Sequence, residues 1–565
     1  MSDPSLEEKV QRFELLYKVG VTLSAEKDKD RLVEMILLEA KQLCGADGGT
    51  LYLRTDDDEL RFAIMRTDSL GIALGGTTGK PIDLPPLPMF RDGVPNEQNI
   101  ATCAALRRES FNVPDAYDAE GFDFSGTQRF DERNGYRSKS FLAIPLVNNE
   151  DRVIGVLQLL NAKDRATGEL VSFSREKQQI VEALASQAAI ALDNQMLLEG
   201  QKELLESFIK LIAAAIDAKS PYTGGHCERV PILTEMLAEA ACQCGDGPLA
   251  DFKLTPEEWY ELRIAAWLHD CGKVTTPVHV MDKATKLETI FDRIHVVRGR
   301  FEVLRRDAEV AYWRGVAEGG DDTALKAELQ RELSRLDEEL AFLESANIGG
   351  EFLSPDKQAR VAEIGKRLYR QGGEQRPLLS EDELQSLQIS RGTLTEDERL
   401  IINGHMVQTI KMLEALPFPR NLRRVPEYAG GHHEKMDGDG YPKGIYAGDM
   451  SVPARIMAIA DVFEALTAQD RPYKKGKTLS ESMRIMGFMK RDNHLDPDLF
   501  DLFVTSGVYK LYGQRFLPPE LIDEVDEAAL LAIEPKPFDL PPAEQRRSRW
   551  RDFLPAYRDE VSRSA

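Results

Sequence analysis

Between Ser174 and Ser220 the sequence reads as helix with almost no stop signal. Ile180, Leu184, Ala188 and Ala191, then Leu204, Phe208, Leu211 and Ala215, recur at spacings of three and four, the period of one helix face. Ser174 suits an N-cap, and Ser220-Pro221 ends the run because proline cannot continue a helix. Gly200 is the one expected interruption. A near-continuous helix of this kind joins two domains and can carry a rotation or register change between them. An apolar stripe at heptad-like intervals asks for a partner helix, so a parallel homodimer is expected, with a passive spacer as the alternative.

The chain on either side is long enough for cores of its own: 565 residues correspond to two to four units at roughly 150 residues each. Apolar residues make up 42% and charged residues 30%, ordinary soluble usage that excludes a disordered or fibrous chain. The net charge of −23 argues against polymeric nucleic acid or an anionic membrane surface, both of which need a basic footprint. No apolar run reaches the ~20 residues of a membrane span. The start, Met1-Ser-Asp-Pro-Ser-Leu-Glu-Glu, lacks a basic and an apolar leader region, so a cytoplasmic location is expected. Six cysteines without a C-x-x-C pair indicate neither a disulfide framework nor a thiolate zinc site.

Before the long helix, helical and strand signals mix. Leu32, Ile36, Ala40 and Leu43 recur at helical spacing, and Thr50–Arg54 and Leu60–Met65 read as strands around the acidic turn 55–58. Phe141–Val147 and Val153–Leu160 form a second pair across Asn148-Asn-Glu-Asp151. The expectation is an α+β domain, an antiparallel sheet flanked by helices, with the Gly-, Pro- and Asp-rich residues 70 to 140 as its loop side. Asn112-Val-Pro-Asp-Ala-Tyr117, Gly135-Tyr-Arg137 and Phe141-Leu-Ala-Ile-Pro145 with its hairpin resemble a GAF sensor domain over roughly residues 15 to 195. Cyclic-nucleotide-binding members carry an Asn-Lys…Phe…Asp-Glu signature; Phe130-Asp-Glu132 matches its end and the Asn-Lys start is missing. The resemblance leaves two roles, a sensor of an unknown ligand or a dimerisation module.

All eight histidines lie at or beyond His226. Five have acidic neighbours, Gly-containing turns or both: His226 in Gly-Gly-His-Cys-Glu, His269 in His-Asp-Cys-Gly-Lys273, His405 closing Glu398–His405, and His432-His433 in Gly-His-His-Glu-Lys-Met-Asp-Gly-Asp-Gly-Tyr-Pro442. Asp461 follows in Ile-Ala-Asp-Val-Phe-Glu464. This is the pattern of a metal site assembled from several helices. On a helix, the side chains of an adjacent His-Asp pair point about 100° apart, so the imidazole can hold one ion while the carboxylate leans to a second. Imidazoles with carboxylates suit iron, manganese, zinc, cobalt or nickel better than magnesium or calcium. Two such ions roughly 3.5–4 Å apart suit phosphodiester hydrolysis.

The region resembles the HD-GYP family of cyclic di-GMP phosphodiesterases, an all-α HD-type metal phosphohydrolase fold. Both motifs are intact, His269-Asp270 with Gly272-Lys273, and Gly440-Tyr-Pro442 after His432-His433. By position, the resemblance implies metal ligands at His226, His269, Asp270, His405, His432, His433 and Asp461, two divalent ions, iron or manganese, and Asp270 and Lys273 in catalysis. It implies substrate contacts from Arg471, Lys474 and Tyr441, the last also tied to diguanylate cyclase (GGDEF) partners or to shaping its loop. Members with a third ion carry a Glu four residues before the first His, where this chain has Tyr222; Asp461 and Arg471 stand one residue further apart than usual. His279 is expected in a loop, His295 in a mixed-charge helix and His494 beside Leu-Asp-Pro, in surface or packing roles; Cys271 is expected to be a small buried filler.

The stretch from Lys273 to His405 exceeds the family's usual connection, and helical insertion is expected at about 290–392. Leu325, Leu329, Leu333, Leu336, Leu340 and Leu343 give one amphipathic helix, and Gln358 to Tyr369 a second, suggesting a helical hairpin. Its stripe is expected to serve as a partner-docking or dimer arm or to pack onto its own catalytic domain. The expected organisation is 1–198 GAF-like domain with an N-terminal helix, 199–220 connecting helix, 221–545 HD-GYP domain and 546–565 tail. The expected function is hydrolysis of cyclic di-GMP to pGpG and/or GMP under GAF control. The alternatives are a slow or inactive cyclic-dinucleotide receptor or scaffold, and a hydrolase of another cyclic dinucleotide such as cyclic GMP-AMP.

Overall fold

The computed structural model describes residues 17–164, 166–219, 225–350, 352–469, 476–542, 544 and 546. The chain divides into two compact units between Leu205 and Glu206.

In the first unit, Asp28 opens helix α1 (Lys29–Cys44) by accepting from the Arg31 N–H, and Gly45, at φ 65°, ends it. Strands β1 (Ala46–Arg54), β2 (Glu59–Thr67) and β3 (Ile72–Gly75) follow. Helix α2 (Ile100–Arg107), β4 (Phe111–Val113) and α3 (Ser125–Asn134) lead into the hairpin of β5 (Phe141–Val147) and β6 (Val153–Lys163). The six pair antiparallel in the order β3-β2-β1-β6-β5-β4. The expected α+β sheet is thus present, but residues 70 to 140 are more structured than their Gly and Pro content suggests. Asn99 caps α2 through the Ala101 and Thr102 N–H groups, and Ile100–Ala105 is buried. One apolar core joins α1, the sheet and the following long helix through Leu37, Leu51, Leu157, Leu184 and Ala188. A second, on the α2 side, packs Tyr52, Ile100, Phe124, Phe141 and Val156 together.

The long helix α4 (Arg175–Lys219) runs 45 residues without a break, its entry capped by Ser174 Oγ accepting from the Lys177 N–H. Gly200 does not interrupt it: one glycine costs about 1 kcal/mol against alanine, which strong formers on both sides offset.

The second unit is helical: α5 (His226–Gln243), α6 (Pro256–Leu268), α7 (Ile294–Ala317), α8 (Asp322–Asn347), α9 (Pro355–Gly365), a small β7/β8 hairpin (Leu368–Gln371, Glu374–Pro377), α10 (Glu381–Leu387), α11 (Glu396–Glu414), α12 (Val425–Gly430), α13 (Val452–Thr467), α14 (Leu479–Arg491), α15 (Pro497–Thr505) and α16 (Val508–Phe516). Its main core unites α5, α6, α12, α13 and α15 through Leu237, Leu262, Ala265, Tyr428, Phe463 and Phe500. His279 lies in a single helical turn, Val278–Met281, rather than a loop.

The insertion has a core of its own, built from Leu287, Val297, Phe301, Leu336, Leu343, Val361 and Leu379. Its helical hairpin is α7 with α8, not α8 with the stretch Gln358 to Tyr369. That stretch stops at Gly365 and turns into β7/β8, because Gly372-Gly373, both at positive φ, form a two-residue hairpin turn. The C-terminal half of the α8 stripe, Leu336, Leu340 and Leu343, packs within the insertion, whereas Leu325, Leu329 and Leu333 are half-buried. No helix among the described residues is long and apolar enough to cross a membrane.

Candidate metal centre

Four helices and two turns bring the seven expected residues to one place. α5 begins at His226; α6 ends at His269, and Asp270 steps out of the helix at φ −107°, ψ 13°. His405 lies on α11, His432 and His433 follow α12, and Asp461 lies on α13. Ligand atoms of His226, His269, Asp270 and Asp461 all lie within 4.8 Å of one another, as do those of Asp270, His405, His432 and His433. Asp270 belongs to both groups.

Backbone carbonyls and a carboxylate orient the imidazoles. Nδ1 of His269 lies 2.7 Å from the Ala266 carbonyl, that of His405 2.5 Å from Ile402 O, and that of His432 2.7 Å from Ala429 O. Each Nδ1–H therefore donates to the carbonyl three residues back, which leaves Nε2 as the lone-pair nitrogen and aims it inward. His226 Nδ1 is held by Glu464 Oε2 instead, and Arg229 Nε donates to Glu464 Oε1 at 2.7 Å.

The inward atoms are unsatisfied. The Nε2 atoms of His226, His269, His405 and His432, with Asp270 Oδ1, are buried and have no hydrogen-bond partner. His405 Nε2 lies 3.2 Å from Asp270 Oδ1, and His226 Nε2 lies 3.3 Å from both Asp270 Oδ2 and Asp461 Oδ1. In a dry interior, nitrogens and carboxylate oxygens this close need a proton or a cation between them: Glu464 lets His226 carry a proton, whereas His405, its Nδ1–H given to Ile402 O, faces Asp270 Oδ1 with a lone pair. The donor set fits divalent metals, which HD phosphohydrolase domains bind.

Electrostatics agree. Burial raises the carboxyls of Asp270 and Asp461, yet Lys273 and His269 hold the first well below the usual range and His226 lowers the second. Burial lowers His226, but the carboxylate of Glu464 lifts it well above 6.5. Burial and the neighbouring His269 push His432 down to about 4, and burial with His432 pushes His433 well down. Lys273 would be lowered by burial, but Asp270, its ion-pair partner, raises it and keeps it charged.

Glycines close the site. A Cβ on Gly272 would lie 2.0 Å from His405 O and 2.5 Å from Thr409 N, and the Gly272 N–H donates to Thr409 Oγ1 at 2.9 Å. The turn after His269-Asp270 thus lies directly on the α11 backbone. The Tyr441 ring stacks on His433 at 4.8 Å and 18°, facing the site from the loop side. Buried Glu434 anchors that loop by accepting from the Lys443 and Ile445 N–H groups at 2.7 and 3.1 Å.

Arg471 and Lys474 lie outside the described residues, as does Tyr222. His295 is on α7 and His494 lies half-buried after α14. Cys271 is buried, which lifts its thiol to about 12. Sequence reasoning passed over Glu464 and Glu434. The signal for the first was available: it stands three residues after Asp461 on the same helix face.

A GAF domain model matches residues 28–192 and an HD domain model residues 334–499. The second match starts inside α8, so it includes His405, His432, His433 and Asp461 but neither His226 nor His269-Asp270. A 3'3'-cGAMP-specific phosphodiesterase 1 of Vibrio cholerae is 42% identical over 115 residues, 20% of this chain and 26% of that protein. A 3'3'-cGAMP-specific phosphodiesterase 3 of the same organism is 24% identical over 325 residues, 57% and 42% of the two chains. A cyclic di-GMP phosphodiesterase of Pseudomonas aeruginosa is 37% identical over 119 residues, 21% and 28%. The chain spans between 26% and 42% of the length of these relatives. Fold and matches define a protein that joins a GAF domain to a helical HD domain. More narrowly, the helical unit that holds the HD match carries His269-Asp270 with Gly272-Lys273 before that match and Gly440-Tyr-Pro442 within it.

Proposed function

We propose that this chain is a metal-dependent phosphodiesterase that opens cyclic di-GMP to linear pGpG and/or GMP. The observation that carries the reading is the pair of four-residue groups sharing Asp270, with four buried imidazole Nε2 atoms that lack a hydrogen-bond partner. His226, His269 and Asp461 would hold one ion, His405, His432 and His433 the other, and Asp270 both; iron or manganese suits this set. Bound ions would supply a water acidic enough to attack at neutral pH and charge to neutralise the phosphoryl oxygens.

The chain's own groups do the remaining work. Asp270 holds Lys273 charged beside the centre, where its ammonium meets a non-bridging phosphate oxygen. Arg471 and Lys474 are assigned to the second phosphate. Tyr441 fixes His433 by stacking, so its inward position supports a role in shaping the site more than in docking a diguanylate cyclase. On α4, Ile190, Leu197, Leu204 and Leu211 repeat every seven residues, flanked by Leu198, Leu205 and Ile212, and each is between 37% and 63% exposed. A seven-residue repeat on a bare face favours a left-handed, two-stranded coiled coil, so a parallel homodimer in the cytoplasm is the assembly assigned here. The GAF domain is assigned as its regulator.

Relatives are named for cyclic di-GMP and for cGAMP, so the assay runs both substrates side by side. Protein loaded anaerobically with iron or manganese is compared with a His269→Ala, Asp270→Ala double variant. Product from the loaded chain alone supports the reading, and equal product from both sinks it. Faster cGAMP turnover would reassign the substrate.

A further inference from the structure

Two charged residues in the last turn of α4 have no part in the chemistry above, yet each grips one flank of the metal centre. Asp217 is buried, and its Oδ2 accepts from the Gly225 and Cys227 N–H groups at 3.1 and 3.2 Å. These N–H groups bracket His226. Gly225, the N-cap of α5, has no side chain to do this, so Asp217 caps the helix from outside and places a negative charge at its N-terminus. Lys219 stands about 200° further round α4. Its Nζ donates to the carbonyls of Lys273 at 3.1 Å, Thr276 at 2.7 Å and Val274, using all three of its protons. Those carbonyls belong to the turn that carries Lys273 beside Asp270. Ile209, Ala213 and Ile216 seat the same helix end in the main core with α5 and α6.

We propose that Asp217 and Lys219 are positioning residues of the metal centre: the end of α4 sets the place of His226 through Asp217 and that of Lys273 through Lys219. Any shift of α4 along or around its axis is then delivered first to one metal ligand and to the lysine that meets the substrate phosphate, whereas His405, His432 and His433 lie on other elements. The inference rests on the metal reading of His226, and its metal arm needs no substrate.

The test uses the full chain with Asp217→Ala, Asp217→Asn, Lys219→Met and Lys219→Arg. Manganese affinity is read by chelator competition, folding by thermal melts without metal, and turnover with cyclic di-GMP. Asp217→Ala is expected to weaken one of two sites about 10-fold and leave the other unchanged, with Asp217→Asn, which keeps an acceptor oxygen, restoring most of it. Lys219→Met is expected to keep both ions and lower kcat about 10-fold with KM little changed, and Lys219→Arg to recover it. Wild-type manganese binding by Asp217→Ala, or a uniform loss at both sites that Asp217→Asn does not rescue, overturns the proposal. Wild-type kcat in Lys219→Met overturns its second half. Should the parent chain turn over no cyclic dinucleotide, the function proposed above fails while the affinity comparison still decides on Asp217.

Discussion

Gly272→Ala is the sharpest probe of how the centre is closed. The backbone φ of Gly272 is not positive, so alanine brings no conformational strain and the effect is one of space alone. The added Cβ would sit 2.0 Å from His405 O and 2.5 Å from Thr409 N, whereas ordinary Cβ contacts begin near 3.4 Å. Both obstacles are main-chain atoms of α11 and cannot rotate aside. The turn and the helix must separate by on the order of 1 Å, against a tolerance of about 0.2 Å for metal–ligand distances. Overpacking of this kind costs about 1–3 kcal/mol. For the unit Glu206–Ala565 an unfolding entropy of about 2.1 cal/mol/K per residue makes each kcal/mol worth roughly 1.3 °C, so the metal-free protein should melt about 1–4 °C lower. The pocket of His405, His432 and His433 should lose affinity about 10–100-fold, more than the His226 pocket. Thermal melts with and without chelator and a manganese competition titration read both. A variant with unchanged Tm and wild-type affinity at both sites would refute the reasoning.

Glu464→Gln removes the charge that holds His226 Nδ1 and should weaken the His226 pocket about 10-fold or more while sparing the other, as read in the same titration. Tyr441→Phe should retain, and Tyr441→Leu lose, the stacking on His433, worth about 0.5–1.5 kcal/mol or a 2- to 10-fold change in affinity of that pocket. Burial, helped by Lys435, holds the folded-state pKa of His494 down at about 4. The unfolded chain, with a value of about 6.5, then binds more protons between these limits, so this stabilisation is present above pH ~6.5 and fades as pH falls toward 4. The unfolding free energy of metal-free protein, read from denaturant titrations, should drop more from pH 7 to 5 in the parent than in His494→Gln, by about 2 kcal/mol at most. Equal drops would exclude His494 as a source.

The clustering of the candidate ligands was legible because it is carried by rare residues in tight motifs: His269-Asp270 and His432-His433 each announce themselves in two letters. What supports them was less visible. Glu434 and Asp217 act through backbone N–H groups, which any sequence supplies, so nothing in the spelling marks their partners. The sheet of the first unit followed from alternation in Phe141–Val147 and Val153–Leu160, while α2 hid in a Gly- and Pro-rich stretch because Asn99 and a short alanine-rich run suffice for eight residues of helix. In the insertion, six regularly spaced leucines on α8 disclosed a buried face but not what buries it, since a period carries no address.

The insertion is tied together at its base. Lys283 Nζ meets both carboxylate oxygens of Glu398 at 2.7 and 2.8 Å, and Thr393 Oγ1 donates to Lys283 O at 3.0 Å. The chain therefore leaves and returns through one clamped doorway, and the loop-closure entropy of what lies beyond grows by only about 0.6 kcal/mol per doubling of length. Asp270 and His405 can stay 3.2 Å apart whatever is threaded between them. The doorway acts as a socket: the length of what it holds is decoupled from the geometry of the candidate metal centre, and separation along the chain ceases to report separation in space.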